Sequence, residues 1–516
     1  MRFENSSRCG GGFLFVVTLT AMLGLVSIAP ARAASCESLT SFSLANVKIT
    51  SAQVVSSGAF TPPAANAEGA QAGERFSHLP SFCRVAATLS PSSDSDIKIE
   101  VWLRVSGWNG NLQSVGNGGW AGVISYGALG DALADGYAAA STDTGHIGNN
   151  GQFAYGHPEK MVDFAYRSVH EMTVAAKAIV TAFYGKGPDR SYWNGCSTGG
   201  RQGLTEAQRY PGDYKGIIAG APANNRTHIY AWSLSVAQTI QKSPAAYIPA
   251  SKYAMVHKAA VEACDALDGL KDGLIGDPTR CHFDPAALLC KGEDSPNCLT
   301  APQVQLARQI YAPAKNPRTS QEIYPGFEPG SELGWAIHAG RQPLSYATDG
   351  FKYVTFNNPD WDFRTFNLDS DVALPDKVDN GMTSAMNPDL KDFLGNGGKL
   401  LMYQGWSDPN VAPLNTVHYY QSVQEAMGEM AAGSVRLFML PGMGHCGGGE
   451  GPNRFDAVGT LATWVEKGPA PEQVLASHRS GSAVDRTRPV CAYPKVAAYK
   501  GTGSIDEAAN FVCKAP

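Results

Sequence analysis

The sequence predicts an α/β fold in which a mostly parallel β-sheet is covered by helices on both faces and carries a large insertion. Short apolar strands alternate with amphipathic helices in two separate parts of the chain. This alternation stops at residues 220–222 (Gly-Ala-Pro) and resumes near residue 389. With 516 residues, the chain is also too long for one ordinary hydrophobic core.

The first part of the chain begins with a lead-in rich in Ser, Ala and Pro and then gives the clearest strand signal. Residues 96–105 alternate between apolar and polar side chains, as a half-buried strand does. Further apolar runs predict strands, and apolar residues three and four apart predict helices. The predicted strands are 96–105, 111–115, 137–141, 191–193, 215–219, 399–403 and 435–440, and the predicted helices are 161–184, 201–210, 389–394, 414–426 and 455–466.

The segment between the two parts is irregular and rich in Pro and aromatic residues, which predicts a separate lid domain. We therefore expect four regions along the chain. They are a signal peptide at 1–33, a first core part at 34–223, the lid domain at 224–386 and a second core part at 387–516.

The N-terminus has the features of a signal peptide. Arg2 and Arg8 precede an apolar run at 13–28, and residues 31–33 (Ala-Arg-Ala) form a small-residue cleavage site. An uncleaved membrane anchor is the alternative, but the run is short for a membrane span and small residues interrupt it. We expect the protein to be secreted or periplasmic, with no membrane anchor after processing.

Charge and cysteine content restrict the function classes. Apolar residues make up 43% of the chain, as in folded globular proteins. The net charge of −5 is small and no basic stripe is present, which argues against a nucleic-acid partner. Cys9 lies in the predicted signal peptide, and the even number of remaining cysteines predicts disulfides in an exported protein. Short-range pairs are plausible, although the sequence alone leaves the connectivity open; they are Cys264–Cys281, Cys290–Cys298 and Cys491–Cys513.

The stretch at 194–200 (Asn-Gly-Cys-Ser-Thr-Gly-Gly) contains a G-x-S-x-G pattern centred on Ser197. A predicted strand precedes it and a predicted helix follows, which is the context in which such a serine becomes a nucleophile. Glycines fit on either side because a side chain there would collide with the neighbouring strand or helix. A simple loop before a helix is the alternative, since the chain contains 56 glycines and the pattern also arises by chance.

A serine nucleophile needs a histidine base and a carboxylate that orients the histidine. Asp408 and His445 each follow a predicted strand directly. The chain order Ser, Asp, His is that of the α/β-hydrolase fold. Asp408 could instead form an Asp turn before Pro409. His146 also follows a strand, but it precedes Ser197 and so has the wrong order.

An oxyanion hole needs backbone N–H donors. The residue after the nucleophile, Thr198, would supply one, and the Gly-rich loop 116–119 after an earlier strand would supply the other. A phosphate-binding loop is the competing interpretation of these glycines, but the Lys-containing P-loop pattern is missing from the sequence.

Two cysteines flank the candidate catalytic residues. Cys196 directly precedes Ser197, and Cys446 directly follows His445. The serine and histidine of a triad must touch, so their neighbouring cysteines would lie close enough to bond. Such a placement is improbable by chance, and it therefore supports the triad.

These residues, together with Pro-Gly-Met-Gly-His-Cys-Gly-Gly-Gly at 441–449, resemble the tannase and feruloyl esterase family. The resemblance covers essentially the whole chain after the signal peptide. It implies an α/β-hydrolase fold with a large lid domain inserted between core strands. It also implies that Ser197, Asp408 and His445 form the catalytic triad.

The resemblance implies further site residues. The N–H groups of Gly119 and Thr198 would form the oxyanion hole, and Val411 would line the acyl pocket. Two more disulfides would join the three local pairs, giving five in all; they are Cys36–Cys83 and Cys196–Cys446.

Residues 265–274 of the predicted lid contain three carboxylates in a Gly-containing loop. Carboxylate oxygens suit calcium, but the spacing is not that of an EF-hand, and on the residues alone a solvated acidic turn is the more common outcome. The family resemblance implies a structural calcium ion in this loop. Its ligands would be the side chains of Asp265, Asp268 and Asp272 and the carbonyl groups of Leu270 and Leu274.

The resemblance implies a secreted serine esterase for hydroxycinnamic or phenolic acid esters, either as small molecules or linked to a plant polymer. A tannase acting on galloyl esters and a terephthalate monoester hydrolase are alternatives within the family. The latter needs a lid arginine, and Arg341 lies only near the expected position. A secreted peptidase and a non-catalytic calcium-dependent binding protein are the alternatives outside the class. Aromatic residues that could contact the acyl group or form the lid core are Tyr230, Trp335, Tyr346, Phe351 and Trp361.

Overall fold

The computed structural model describes residues 34–63 and 75–516. The predicted signal peptide at 1–33 lies outside the described residues and stays a prediction. Within the described part of the chain, no helix combines the length and the apolar character that a membrane crossing requires.

The strands build one large sheet and three small ones. They are β1 Val47–Val55, β2 Phe82–Leu89, β3 Ile97–Arg104, β4 Asn111–Val115, β5 Ala138–Thr142, β6 Arg190–Cys196, β7 Gly216–Gly220, β8 Ala314–Lys315, β9 Glu322–Tyr324, β10 Lys399–Gly405, β11 Val435–Leu440, β12 Gln473–Ser480, β13 Ala483–Cys491, β14 Val496–Tyr499 and β15 Phe511–Lys514. The large sheet has nine strands in the order β1-β2-β3-β5-β4-β6-β7-β10-β11. Pairing is antiparallel from β1 to β5 and parallel from β5 to β11.

Helices cover both faces of this sheet. The α-helices of the described residues are α1 Tyr126–Ala134, α2 Pro158–Val162, α3 Ser168–Tyr184, α4 Thr198–Arg209, α5 Arg226–Lys242, α6 Tyr253–Cys264, α7 Ala301–Tyr311, α8 Ala336–Ala339, α9 Ser345–Asp349, α10 Ala373–Asp379, α11 Lys391–Gly395, α12 Pro413–Met427, α13 Glu429–Ala432 and α14 Ala457–Lys467. Ile217 and Ile218 of β7 point to opposite faces. Ile217 belongs to the same buried cluster as Leu204 of α4, and Ile218 to that of Leu461 of α14.

The parallel part of the sheet follows the sequence-based expectation, but three features differ from it. β1 and β2 were missed, and β1 is an edge strand in which only Ala52 is buried, so it carries little apolar alternation. The strands β12 to β15, which form two small two-stranded sheets, were also missed. The single helix expected at 161–184 is instead α2 and α3 joined by a π-helical turn, Asp163–Arg167.

The insertion is more helical than the sequence indicated, and the expectation of an irregular segment was wrong. α5 has 17 residues, α6 has 12 and α7 has 11. In α5, eleven residues are buried and they lie around the helix, so no one-sided apolar stripe reveals it. The insertion has its own hydrophobic core, which includes Trp232 and Trp335. It lies between β7 and β10, which pair directly. The bounds at 224 and 386 stay predictions.

One cluster of charged groups links the insertion to the loop that carries His445. His257 on α6 contacts Glu332 through Nδ1 and Glu450 through Nε2, each at 2.8 Å. Glu332 belongs to the insertion, and Glu450 lies just after His445. Burial lowers the pKa of His257, but the hydrogen bonds and charges of the two glutamates outweigh burial and raise the pKa to about 9.

We expect this contact to make stability depend on pH. Because the folded pKa of His257 exceeds its ordinary value of 6.5, the contribution is complete below pH 6.5 and is lost as the pH rises through about 9. The full shift would correspond to about 3 kcal/mol of unfolding free energy, and solvent screening at the exposed Glu450 makes the contribution smaller than that. Chemical unfolding of wild type and His257→Gln measures it. Wild type should be the more stable protein near pH 6 and lose this advantage near pH 10, and an equal advantage at both pH values would contradict the expectation.

Candidate active site

Ser197 occupies the turn between β6 and α4. Its backbone has φ 61° and ψ −120°, which is strained for a residue with a side chain. A Cβ on Gly195 would lie 2.4 Å from the Gly199 carbonyl oxygen, and a Cβ on Gly116 would lie 2.5 Å from Gly199 Cα. Only glycine fits such close approaches. The strand, sharp turn and helix have the form of a nucleophile elbow.

Asp408 and His445 follow β10 and β11 and contact each other. Nδ1 of His445 is 2.8 Å from Asp408 Oδ2. Asp408 is fully buried, and its Oδ1 accepts hydrogen bonds from the N–H groups of Asn410 at 2.7 Å and Val411 at 3.0 Å. Gln404 Nε2 donates to Oδ2 at 2.7 Å. These bonds fix the carboxylate, so that it engages Nδ1 and leaves Nε2 of His445 on the opposite side of the ring.

The protonation of His445 depends on this contact. Burial lowers the pKa of His445, but the charge and hydrogen bond of Asp408 outweigh burial, and the pKa is raised above 6.5. A proton on Nδ1 is stabilised by the carboxylate, which makes Nε2 the basic nitrogen of the neutral ring. The pair can therefore accept a proton from a neighbouring hydroxyl group.

Ser197 and His445 line the same cleft, which has a volume of about 1140 Å³. The lining of this cleft includes Phe76, which precedes β2, and Tyr126, the first residue of α1. The lid contributes Tyr346. The structure therefore places Ser197 and His445 at one open cleft, with Asp408 in contact with His445, although their catalytic roles stay a prediction.

The structure contains five disulfides, which join the pairs expected from the resemblance. They are Cys36–Cys83, Cys196–Cys446, Cys264–Cys281, Cys290–Cys298 and Cys491–Cys513. In the second pair, the Cα atoms are 5.9 Å apart across a sequence separation of 250 residues. This bond directly connects the residue before Ser197 to the residue after His445.

We expect replacement of both Cys196 and Cys446 by Ala to leave a folded protein with a kcat reduced about 100-fold, because a shift of about 1 Å in such a pair is that costly. Loss of a bridge across so long a loop should also lower stability by about 5 kcal/mol in the chain-entropy model. Initial rates measured well below the melting temperature separate the two effects. The matched control is Cys491→Ala with Cys513→Ala, which should keep kcat. Equal kcat values for the two double variants would contradict a positioning role.

The oxyanion loop (residues 116–122) lies beside the elbow. Within the described residues, the N–H groups of Gly119 and Thr198 donate no hydrogen bond, so both can serve a developing oxyanion. Asn117 connects the loop to α4, since its N–H donates to Gln202 Oε1 at 3.2 Å and its Oδ1 accepts from Gln202 Nε2 at 3.1 Å. The Thr198 hydroxyl donates to the Gly119 carbonyl at 2.8 Å.

Comparison with known proteins decides the family. A family model described as tannase and feruloyl esterase matches residues 83–514. The chain belongs to this family. An uncharacterized esterase of Xanthomonas campestris pv. campestris is 38% identical over 98% of this chain and 95% of its own. A probable feruloyl esterase B-2 of Aspergillus terreus is 36% identical over 84% of this chain and 86% of its own.

Solved structures give the same assignment. The crystal structure of feruloyl esterase B from Aspergillus oryzae has a TM-score of 0.87 and 33% identity, and covers 93% of this chain and 99% of its own. Tannin acyl hydrolase from Aspergillus niger, at 21% identity and a TM-score of 0.74 over 92% of this chain and 93% of its own, shares the fold. The tannase-family chain thus has the α/β-hydrolase fold that its sequence predicted.

The sequence analysis missed several residues that contact the oxyanion loop. Asn149 accepts a hydrogen bond from the Trp120 N–H at 2.7 Å, and its Nδ2 lies 2.6 Å from the Tyr346 hydroxyl. A Cβ on Gly119, where φ is 54°, would lie 2.5 Å from Asn149 Oδ1 and 2.6 Å from the same hydroxyl. Tyr346 of the lid therefore lies directly against the oxyanion loop. Asn117 alone carried a local signal, since it lies inside the Gly-rich loop.

The expected acyl-pocket residue, Val411, is buried in the lid core, while its neighbour Asn410 lines the cleft. The substrate role of Val411 stays a prediction. Of the lid aromatic residues, Tyr346 lines the cleft. The others pack in or against the lid core; they are Tyr230, Trp335, Phe351 and Trp361.

The acidic loop of the lid brings its carboxylates near one another. Asp265 accepts hydrogen bonds from the N–H groups of Asp272 and Gly273, both at 3.1 Å. Burial and then the charges of Asp272 and Asp265 raise the pKa of Asp268. Arg488 donates to Asp272 Oδ2 at 2.7 Å. The oxygens of the three aspartates do not all lie within 4.8 Å of one another. Their carboxylate oxygens are nevertheless hard ligands of the type that calcium binds.

Proposed function

We propose that this protein is an exported serine esterase that hydrolyses esters of hydroxycinnamic or other phenolic acids. One observation carries the proposal: the contact of His445 with buried Asp408, in the cleft that also contains Ser197 at a strained turn. Relatives named feruloyl esterase support the substrate class. The substrate is either a small aromatic ester or a phenolic ester linked to a plant polymer.

The reaction begins with proton transfer. Nε2 of His445 takes the proton of Ser197 Oγ while Oγ attacks the ester carbonyl carbon. The carbonyl oxygen becomes an oxyanion and accepts hydrogen bonds from the N–H groups of Gly119 and Thr198. The fixed carboxylate of Asp408 stabilises the imidazolium that forms.

The second half of the reaction releases both products. The imidazolium of His445 gives its proton to the leaving alcohol oxygen, the ester C–O bond breaks, and the acid stays bound to Ser197 Oγ. His445 then takes a proton from water, whose oxygen attacks the acyl carbon. Collapse of this intermediate returns the proton to Ser197 and frees the aromatic acid.

The cleft suits an aromatic substrate. Its lining includes the rings of Phe76, Tyr126 and Tyr346 and the apolar side chain of Ile124. Flat aromatic acyl groups gain stabilisation from such side chains by burial and ring contact. Arg75 lines the cleft, and no carboxylate belongs to its described lining, so an anionic group meets no like charge from the described lining residues.

A tannase acting on galloyl esters is the nearest alternative, because a galloyl group is also a phenolic acyl group. A terephthalate monoester hydrolase is less favoured. Arg341 does not line the cleft and lies over the Tyr247 ring, with Cζ 4.3 Å from the ring centroid.

Initial rates with methyl ferulate, methyl gallate, a terephthalate monoester and a peptide test the proposed activity. We expect the highest kcat/KM for methyl ferulate. A higher kcat/KM for methyl gallate would favour a tannase. A higher kcat/KM for the terephthalate monoester would favour a terephthalate monoester hydrolase. Cleavage of the peptide alone, or of none of these substrates, would contradict the esterase.

Export is part of the proposal. Disulfides persist in oxidising compartments, and the five bonds among the described residues support a secreted or periplasmic location. Mass spectrometry of protein recovered from its natural host tests this. A mature chain that begins at Ala34 is expected, and an intact residue 1 would contradict processing.

We also propose that Asp265, Asp268 and Asp272, with the carbonyl groups of Leu270 and Leu274, hold a structural calcium ion. Removing the ion should lower the melting temperature, because a ligand that binds only the folded state stabilises it. Activity measured far below the melting temperature should change less, since no residue of the loop lines the cleft.

Chelation with EDTA followed by calcium titration measures this effect. Wild type should regain its melting temperature with calcium, and Asp268→Asn should regain less. An unchanged melting curve after chelation, with no calcium detected by elemental analysis of the purified protein, would contradict the proposed calcium site.

A further inference from the structure

A small cavity of about 30 Å³ lies between the oxyanion loop and the lid, and residues of lid helix α5 contribute to its lining. Its lining includes Trp120, Arg226, Tyr230 and Asp379, and it shares no lining residue with the catalytic cleft. A space of this size holds a water molecule or a monatomic ion, but no aromatic acyl group.

The unsatisfied polar atoms of this cavity are donors. Arg226 is 4% exposed, and its Nε and Nη2 atoms have no hydrogen-bond partner among the described residues. Trp120 is 1% exposed, and its Nε1 atom also lacks a partner there. Guanidinium and indole nitrogens can only donate. Buried donors of this kind require an acceptor.

Aromatic rings cover the faces of the Arg226 guanidinium without satisfying its edges. Cζ lies 3.8 Å from the Trp120 ring centroid, 4.7 Å from that of Phe164 and 5.3 Å from that of Tyr230. Such stacking stabilises a cation through the ring faces. The N–H bonds lie in the guanidinium plane and therefore point past the stacked rings.

Positive charge is in excess around the cavity. The groups whose charge or hydrogen bond acts on Arg226 are Tyr230, which engages the guanidinium but leaves Nε and Nη2 free, together with Asp379 and the fully buried Arg201. The Asp379 oxygens are already engaged: Oδ1 accepts from the N–H of Thr383 at 2.8 Å and from its hydroxyl, and Oδ2 accepts from the Ser384 N–H at 2.9 Å. Two buried guanidinium groups thus face one carboxylate. Burial lowers the pKa of both arginines, as expected for incompletely compensated charge.

We propose that this cavity binds a monatomic anion such as chloride, held by the N–H groups of Arg226 and Trp120. The anion accepts the unpartnered donors and balances the excess positive charge. Asp379 lines the same cavity and would repel the anion, but its oxygens already accept three hydrogen bonds, and the two guanidinium groups outweigh its single negative charge. Trp120 directly follows Gly119, so the bound anion stabilises the loop that carries an expected oxyanion donor.

Thermal unfolding in sodium chloride and in sodium gluconate, at equal ionic strength, tests the proposal. Gluconate is too large for the cavity. The melting temperature of wild type should be several degrees higher in chloride, with an effect that saturates as chloride rises. Equal melting temperatures in the two salts would overturn the proposal.

Two variants locate the effect. Arg226→Met keeps the aliphatic stem and should lose the chloride dependence. Arg209→Met is the matched control, because Arg209 is exposed and lies over a ring, with Cζ 4.5 Å from the Tyr166 centroid. It should keep the chloride dependence. A dependence of wild-type size in Arg226→Met would place the anion elsewhere and overturn the proposal.

A direct measurement covers the case in which Arg226→Met does not fold. Crystals of wild type grown in sodium bromide should show an anomalous scattering peak between Arg226 and Trp120. Water density at that position without an anomalous signal would overturn the proposal.

Discussion

Replacement of Ser197 by Ala should lower kcat for methyl ferulate by about 10⁶-fold, the scale seen when a serine hydrolase loses its nucleophile. The reason is structural, because Ser197 lies at a strained turn and lines the same cleft as His445. KM should change little, since Oγ contributes little to substrate binding before attack. Initial rates at high enzyme concentration measure both constants.

The control for this variant is Ser235→Ala. Ser235 lies on lid helix α5, where its hydroxyl donates to the Trp232 carbonyl within the same helix. Activity should be unchanged. Retention of most activity in Ser197→Ala, with an unaltered melting temperature, would contradict a nucleophilic role for Ser197.

Replacement of Asp408 by Asn should lower kcat by about 10⁴-fold, the scale of the equivalent change in a serine protease. Asn matches Asp in size but presents an amide that can donate to Nδ1. The proton of His445 would then shift to Nε2, and the ring could no longer take the proton of Ser197. The hydrogen bonds from the N–H groups of Asn410 and Val411 to the remaining oxygen should keep the loop in place.

The pH profile of the same variant gives a second readout. Burial lowers the pKa of His445, and the charge and hydrogen bond of Asp408 raise it above the ordinary value. Without that charge the pKa should fall, so His445 stays neutral to lower pH. The acidic limb of kcat/KM in Asp408→Asn should therefore move to lower pH than in wild type. If the acidic limb of kcat/KM does not move, it reports the titration of a group other than His445.

The sequence predicted the parts of the site that depend on local pattern and chain order. Ser197 lies between a strand and a helix with glycines on both sides, and Asp408 and His445 each follow a buried strand. Parallel strands end at one edge of a sheet, so these positions had to converge. Cys196 is adjacent to Ser197 and Cys446 to His445, and this placement independently predicted that the serine and the histidine lie close together.

The parts that depend on tertiary contact could not be predicted. Gln202 looks like an ordinary helix residue, and only the folded chain shows that it bonds Asn117 of the oxyanion loop. Asn149 and Tyr346 meet across a large sequence separation, which no local pattern reveals. The lid helix α5 was hidden for a different reason, because residues such as Arg226 and Trp232 are buried around its whole circumference.

The central claim is that Ser197 forms an ester with the aromatic acid during turnover. Acid quenching of wild type during turnover of methyl ferulate, followed by intact-mass and peptide mass spectrometry, tests it most directly. We predict a mass increase equal to one feruloyl group, located on the peptide that contains Ser197 and absent from Ser197→Ala. A feruloyl group on another residue, or turnover of methyl ferulate by Ser197→Ala at the wild-type rate, would contradict the account.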